Sequence, residues 1–148
     1  MEIDTAPERL RALPSWLLNQ AALAAQRVVG DGLSAVGAHR SHYAVLAALD
    51  EFGPASQAAL GRRCGIDRSD MVALVDVLSR EGLVGRRPDA ADRRRNVVTI
   101  TAAGRRRLRT LDTLVGRLQD ALLTPLSAAE RDQLVALLRR VVDHHGAT

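Results

Sequence analysis

Residues Leu83–Gly104 constrain the fold more than any other stretch of this chain. Two short β-prone pieces, Leu83–Arg87 and Asn96–Ile100, flank a turn-prone centre at Pro88–Asp92. Pro, Asp and Ala suit the turn, and the β-branched residues of the second piece pack well on a pleated surface. The spacing predicts one hairpin among segments of helical periodicity. Five arginines, Arg86, Arg87, Arg93, Arg94 and Arg95, crowd onto it. Like charges on neighbouring positions repel, so the hairpin does not need them to fold. A solvated loop is one reading of such a run, and a finger that touches a polyanion is the other.

The preceding segments decide between them. Ser56 is a good N-cap for a short helix over Gln57–Cys64, which Gly65 closes. Asp67 caps a second helix with Asp70 three residues on, in capping-box spacing. That helix runs to about Glu81, turns Met71, Leu74, Val75 and Leu78 inward, and stops at Gly82. Helix, the turn Gly65-Ile66-Asp67, helix and basic hairpin is the order of a helix-turn-helix followed by a wing. Helix pairs of this kind are common, and it is the adjoining arginines that favour a nucleic-acid partner.

Around this core the pattern is helical. Residues 1–13 read as an arm, mobile or docked on a partner. A first helix starts at Pro14-Ser15 with Leu17, Leu18, Ala21, Ala22, Ala25, Val28 and Val29 at helical spacing, and Gly30, Gly32 and Gly37 are expected to break it. A second runs from about Arg40 to Glu51, with Tyr43, Leu46 and Leu49 inward, and Phe52-Gly53-Pro54 ends it. Thr101 caps a long fifth helix with a seam of Leu108, Leu111, Val115, Leu118 and Leu122, broken by Pro125. Ser127 and Glu130 form a capping box for a sixth, with Leu134, Leu137, Leu138, Val141 and Val142 inward and Arg139 and Arg140 suiting the dipole near its end. The first helix is more apolar than one buried face requires, which points to contact with another subunit. The expected fold is mainly α with a small β-wing (α+β), with six helices.

Composition narrows the function. At 148 residues one domain is expected. Its 2% aromatic content leaves the core to Leu, Val and Ala. Thirteen arginines face six acids between Arg62 and Arg109, a local excess of seven on a chain of net charge +4. The basic character is therefore concentrated, as a nucleic-acid footprint requires. No secretory segment, lipidation signal or apolar run of membrane-spanning length is found, so the cytoplasm is the expected location. No phosphate loop, nucleophile elbow or metal-ligand cluster supports an enzyme or a metal site. The single cysteine, Cys64, excludes an intramolecular disulfide and reads as a buried inert thiol rather than a redox sensor.

With these residues in view, the chain resembles the MarR family of bacterial winged helix-turn-helix regulators over nearly its whole length. The most specific part is Asp92-x-Arg94, five residues, then Ile100-Thr101-x-x-Gly104, similar to the family wing pattern with Ile in place of Leu. Gly65-Ile66-Asp67-Arg68-Ser69 and Leu83-Val84 support it. The resemblance implies a homodimer built by residues 1–37 and 105–148, with residues 38–104 as the DNA-binding lobe. It implies double-stranded DNA as partner, recognition helices in successive major grooves of a pseudo-palindrome, wing tips in adjacent minor grooves, and a transcriptional repressor released by a small molecule. Architectural DNA binding, or a protein-interaction module on the same scaffold, are the alternatives.

Candidate DNA contacts follow. Arg94, in the D-x-R motif, suits a narrow minor groove. Asp92 either forms the turn or orients that guanidinium. Arg86 is a further candidate DNA contact, and Arg93 and Arg95 suit phosphates or solvent. Arg68 and Ser69 stand at the start of the recognition helix, where Arg68 can take guanine, meet phosphate, or pair with Asp67 or Asp70. Asp70, Val72 and Ala73 depart from the Ser, Thr or Arg that relatives often place there; Val72 and Ala73 suit thymine methyls. Base readout is therefore sparse, with specificity leaning on shape and the wing. No cofactor is expected. The resemblance also implies a site for a small aromatic or phenolic effector. Trp16, Asn19, Gln20, His39 and His42 are its candidates, against plain packing for Trp16 and ordinary surface polarity for the histidines.

Overall fold

The computed structural model describes residues 3–146. A 3-10 turn at Ile3–Thr5 leads into α1 (Glu8–Arg11), α2 (Pro14–Ser34), α3 (Arg40–Phe52), β1 (Ala55–Ser56), α4 (Gln57–Cys64) and α5 (Arg68–Arg80). There follow β2 (Val84–Pro88), β3 (Asn96–Ile100), α6 (Ala102–Leu122) and α7 (Ala128–Gly146). The fold is mainly helical with a small sheet, as expected. The described residues form seven α-helices rather than six, because the arm folds into α1.

The hairpin gains a third strand. β3 lies between β1 and β2, both antiparallel to it, with Ala55 opposite Val98 and Arg86 opposite Val98 on the other side. Pro88 closes β2 against Asn96 instead of opening the turn, so the loop is confined to Asp89–Arg95. The two-residue β1 was not expected; its Ser56 is at once strand end and N-cap of α4, accepting from the Ala59 amide at 3.1 Å.

The core is dry. Val45, Leu46, Leu49, Leu60, Met71, Val75, Leu78 and Val98 are fully buried, joined by Leu33 from α2 and Leu111 from α6, and no polar side chain among the described residues is buried with them. Each such side chain contributes about 1.5–3 kcal/mol on removal from water. Tyr43 is half-buried and donates its hydroxyl to Asp112 at 2.6 Å, joining α3 to α6; this bond and burial push its pKa up to about 12.

Gly30 and Gly32 do not break α2, which continues to Ser34. A Cβ at Gly32 would stand 2.4 Å from Leu118 Cδ2, so this glycine is the groove into which α6 docks. That contact outweighs the ~1 kcal/mol that glycine costs a helix. The expected inward face of α7 is also corrected: the helix buries none of its residues, and Leu137, Val141 and Val142 are exposed. Its start is as expected, with the Ser127 amide on Glu130 Oε1 at 2.9 Å and the Glu130 amide on Ser127 Oγ at 3.2 Å.

Two local arrangements place α5, the second helix of the helix-turn-helix. In the turn before it, Gly65 takes φ +67°, and Gly61 approaches so closely that a Cβ there would lie 2.8 Å from the Ile66 carbonyl oxygen. Asp67 Oδ1 then accepts from the Asp70 amide at 3.0 Å and the Ser69 hydroxyl at 2.9 Å. At the other end, Thr101 Oγ1 donates to the Gly82 carbonyl at 2.7 Å and accepts from the Gly104 amide at 3.0 Å, capping α6. A Cβ on Gly104 would lie 2.1 Å from the Leu83 carbonyl oxygen.

Gly104→Ala should therefore cost about 3 kcal/mol by overpacking. Gly116→Ala, in the same helix with no neighbour within 4 Å, should stabilise by about 0.5–1 kcal/mol. Urea unfolding checks both, and equal shifts would refute the joint. The Asp70 amide, followed by the Ser69 hydroxyl, holds the Asp67 carboxyl below its ordinary 3.8. A depressed folded pKa stabilises fully above the ordinary value, and the gain is lost as pH falls through the folded one. Asparagine keeps the cap without titrating, so Asp67→Asn should lose less stability than wild type between about pH 5 and about pH 3.

Candidate nucleic-acid interface

The helix-turn-helix sets one face of α5 into the core and the other outward. Met71, Leu74, Val75 and Leu78 are buried, while Arg68, Ser69, Asp70, Val72 and Ala73 are exposed. Asp67 takes Ser69 and Asp70 as partners, which leaves Arg68 free of the ion pair that its neighbours offered. The Ser69 hydroxyl is thereby committed as a donor to the cap. Arg68 looks into an open groove of about 1000 Å³ between the helices and the wing, shared with Gln57, Arg62, Arg94, Arg95 and Asn96. Arginines from α4, α5 and the wing thus converge on one concave surface.

The wing tip is shaped by its two aspartates. The Asp89 amide donates to the Arg95 carbonyl at 2.9 Å, and Asp89 Oδ1 accepts from the Ala91 amide at 2.9 Å. Asp92 accepts the Arg95 amide on its carbonyl at 3.0 Å and the Arg94 amide on Oδ1 at 3.0 Å. The same Oδ1 lies 3.4 Å from Arg94 Nε, and Oδ2 lies 3.8 Å from Arg95 Nε. Asp92 therefore does both things that the sequence offered, shaping the turn and orienting the guanidinium. The Arg94 side chain is 93% exposed, so its terminal nitrogens face outward. Arg93 is exposed beside it.

Arg86 does not join this surface. Its Nη2 donates to Asp76 Oδ1 on α5, so the structure commits to an intramolecular ion pair an arginine that was expected to contact DNA. Gln57, Arg62 and Asn96 were not singled out from sequence, although they line the groove. Arg62 was legible as part of the charge run; Asn96 and Gln57 carried no signal beyond being polar at element starts.

The effector candidates fall into two groups. Trp16 and Gln20 are half-buried and Asn19 exposed near the start of α2. His39 and His42 lie beyond its other end. At 1.5 Å per residue Trp16 and Ser34 are roughly 27 Å apart along the helix, so one chain does not bring the five together. His39 has a structural task, since its Nδ1 accepts from the Ser41 amide at 3.2 Å and caps α3. Burial lowers the pKa of His42 and so favours the neutral ring, an effect partly offset by Glu81. Cys64 is half-buried, its Sγ donates to the Ala44 carbonyl at 3.6 Å, and burial raises its pKa, in keeping with an unreactive thiol.

A sequence profile of the MarR family matches residues 36–95, which cover the helix-turn-helix, the first wing strand and the wing loop but not β3. The HTH-type transcriptional repressor NicR of Pseudomonas putida is 31% identical over 68% of this chain, and the match spans 64% of that repressor's own length. The PcaV regulator of Streptomyces coelicolor, solved in complex with its natural ligand, shares 30% identity over 94% of this chain and 98% of its own, with a TM-score of 0.74. The repressor CouR, bound to a 23-mer DNA duplex, shares 28% over 91% of this chain and 96% of its own, with a TM-score of 0.82. Fold, wing pattern and relatives agree: the chain belongs to the MarR family of non-enzymatic winged helix-turn-helix regulators.

Proposed function

We propose that this chain is a sequence-specific transcription regulator, a repressor that binds a pseudo-palindromic operator as a homodimer. The observation that carries the reading is the groove in which Arg62, Arg68, Arg94 and Arg95 converge. Arg68 sits at the recognition-helix start, where base edges are read. Arg94, extended from the tip, fits a narrow minor groove with its enhanced negative potential. NicR's role as a repressor and CouR's capture on duplex DNA support it.

Two half-sites one helical turn apart, roughly 34–36 Å, call for a two-fold dimer. The exposed apolar residues of the terminal helices suit that interface: Leu17, Leu18 and Leu23 on α2, Leu137, Val141 and Val142 on α7. Residues 1–37 and 105–148 then dimerise, and residues 38–104 read DNA. A cytoplasmic site of action follows from this role; no helix of the described residues is long and apolar enough to cross a membrane.

Release by a small aromatic acid is the regulatory half of the proposal, supported by PcaV's complex with its natural ligand. The candidate residues lie at opposite ends of α2, so one effector reaches both groups only if they come from different protomers. Such a ligand acts by favouring one spacing of the two recognition helices over the other.

Footprinting against genomic fragments should give a discrete palindromic protection. Arg68→Ala should cost about 1–3 kcal/mol and relax one position of each half-site if it reads a base. Arg94→Ala should weaken protection at the flanks. Equal affinity for operator and random duplex would sink the regulator in favour of architectural binding.

A further inference from the structure

We propose that the Asp76–Arg86 ion pair is a clamp that fixes the wing against the recognition helix, making Arg86 a positioning residue for DNA reading and not a DNA contact. The inference rests on the function proposed above and deepens it. Asp76 lies one turn beyond Val72, on the exposed side of α5. An unpaired carboxylate on that face would repel phosphate, yet here it is matched from the wing by Arg86 Nη2. The Arg86 backbone is fixed in the ladder, opposite fully buried Val98. The neighbouring Arg80 does not compete for the carboxylate, since its Nε donates to the Asp76 carbonyl oxygen at 3.3 Å.

The location of the pair gives it leverage. The wing base is held by Thr101 and Gly104 against Gly82 and Leu83. Past Arg86, β2 runs two residues further and then gives way to the tip loop. At about 3.3 Å per residue, the tip stands roughly 15 Å from Arg86, so a 10° swing displaces it by about 2–3 Å. A minor groove is about 6 Å wide, so that swing decides whether Arg94 enters it. Arg86 is one-third exposed and Asp76 half-exposed, so the pair adds little to global stability and acts through orientation.

Three variants test the clamp: Asp76→Ala, Arg86→Ala and the exchange Asp76→Arg with Arg86→Asp. Each is read by operator affinity, salt dependence, hydroxyl-radical footprint and amide exchange of the free protein. Both single variants should bind operator about tenfold more weakly, losing protection at the flanks and keeping it at the centre. The exchange should restore most of both, which lost charge or lost packing alone would not do. A direct phosphate contact gives a different pattern: Arg86→Ala would flatten the log–log salt slope by about 0.9, while Asp76→Ala would tighten binding. That pattern, or wild-type binding in both single variants, overturns the clamp. If the wild-type protein selects no sequence, the regulator reading fails by itself. The clamp is then judged in the free protein, where exchange at residues 87–97 must quicken in both single variants and recover in the swap; unchanged exchange refutes it.

Discussion

The approach of Gly104 to the Leu83 carbonyl is the contact on which the rest of the lobe depends. There the end of the recognition helix, the first wing strand, the last wing strand and the start of α6 meet within a few residues. The Leu83 carbonyl accepts the Thr101 amide at 3.1 Å, and the Thr101 side chain ties Gly82 to the first turn of α6. Any side chain at Gly104 would push α6 away from the wing. This gives the I-T-x-x-G spacing a physical meaning: threonine closes the joint by hydrogen bonds, and glycine three residues on leaves room for it. Because α6 also seats its Leu118 on Gly32, the same helix joins the wing base to α2.

Magnitudes divide the labour between core and surface. A buried Leu60 or Leu78 contributes about 1.5–3 kcal/mol, and the core holds several such residues with no polar group among them. The exposed pairs Arg105–Asp50 and Arg131–Asp120 contribute on the order of 0–1 kcal/mol each. Apolar packing therefore decides that the lobe folds, while the polar contacts decide where its arginines point.

Local chemistry was legible in the sequence wherever it is local in the structure. The caps at Ser56, Asp67, Thr101 and Ser127 each act within three residues, and all four stand as read. The buried face of α5 follows from spacing alone. The misreadings share another cause. Gly32 looked like a breaker because its partner, Leu118, is 86 residues away. β1 has two residues and no signal without β3 beside it. Arg86 looked like its neighbours in the charge run until Asp76 was seen across from it. The apolar stripe on α7 was read as inward because periodicity shows that a face wants cover, and not which molecule supplies it. His39 was weighed as a ligand contact, since histidine is an uncommon N-cap and its role depends on ring geometry.

What the recognition surface can discriminate follows from the side chains it presents. Over its first two turns α5 offers one exposed cation, Arg68, with apolar Val72 and Ala73 and an acid, Asp70, beside it. One bidentate arginine contact is worth about 1–3 kcal/mol of discrimination. Specific regulators exceed their nonspecific binding by about 4–10 kcal/mol. In the proposed dimer, two base contacts by Arg68 would reach the lower part of that range and no further. The remainder has to come from groups that feel groove width rather than base identity, which in this chain means the exposed Arg94 held by Asp92. For such groups, accuracy of placement replaces hydrogen-bond pattern as the source of selectivity. A wing anchored at the Leu83 joint, shaped at its tip by Asp89 and Asp92, and braced midway by Asp76 is suited to that demand.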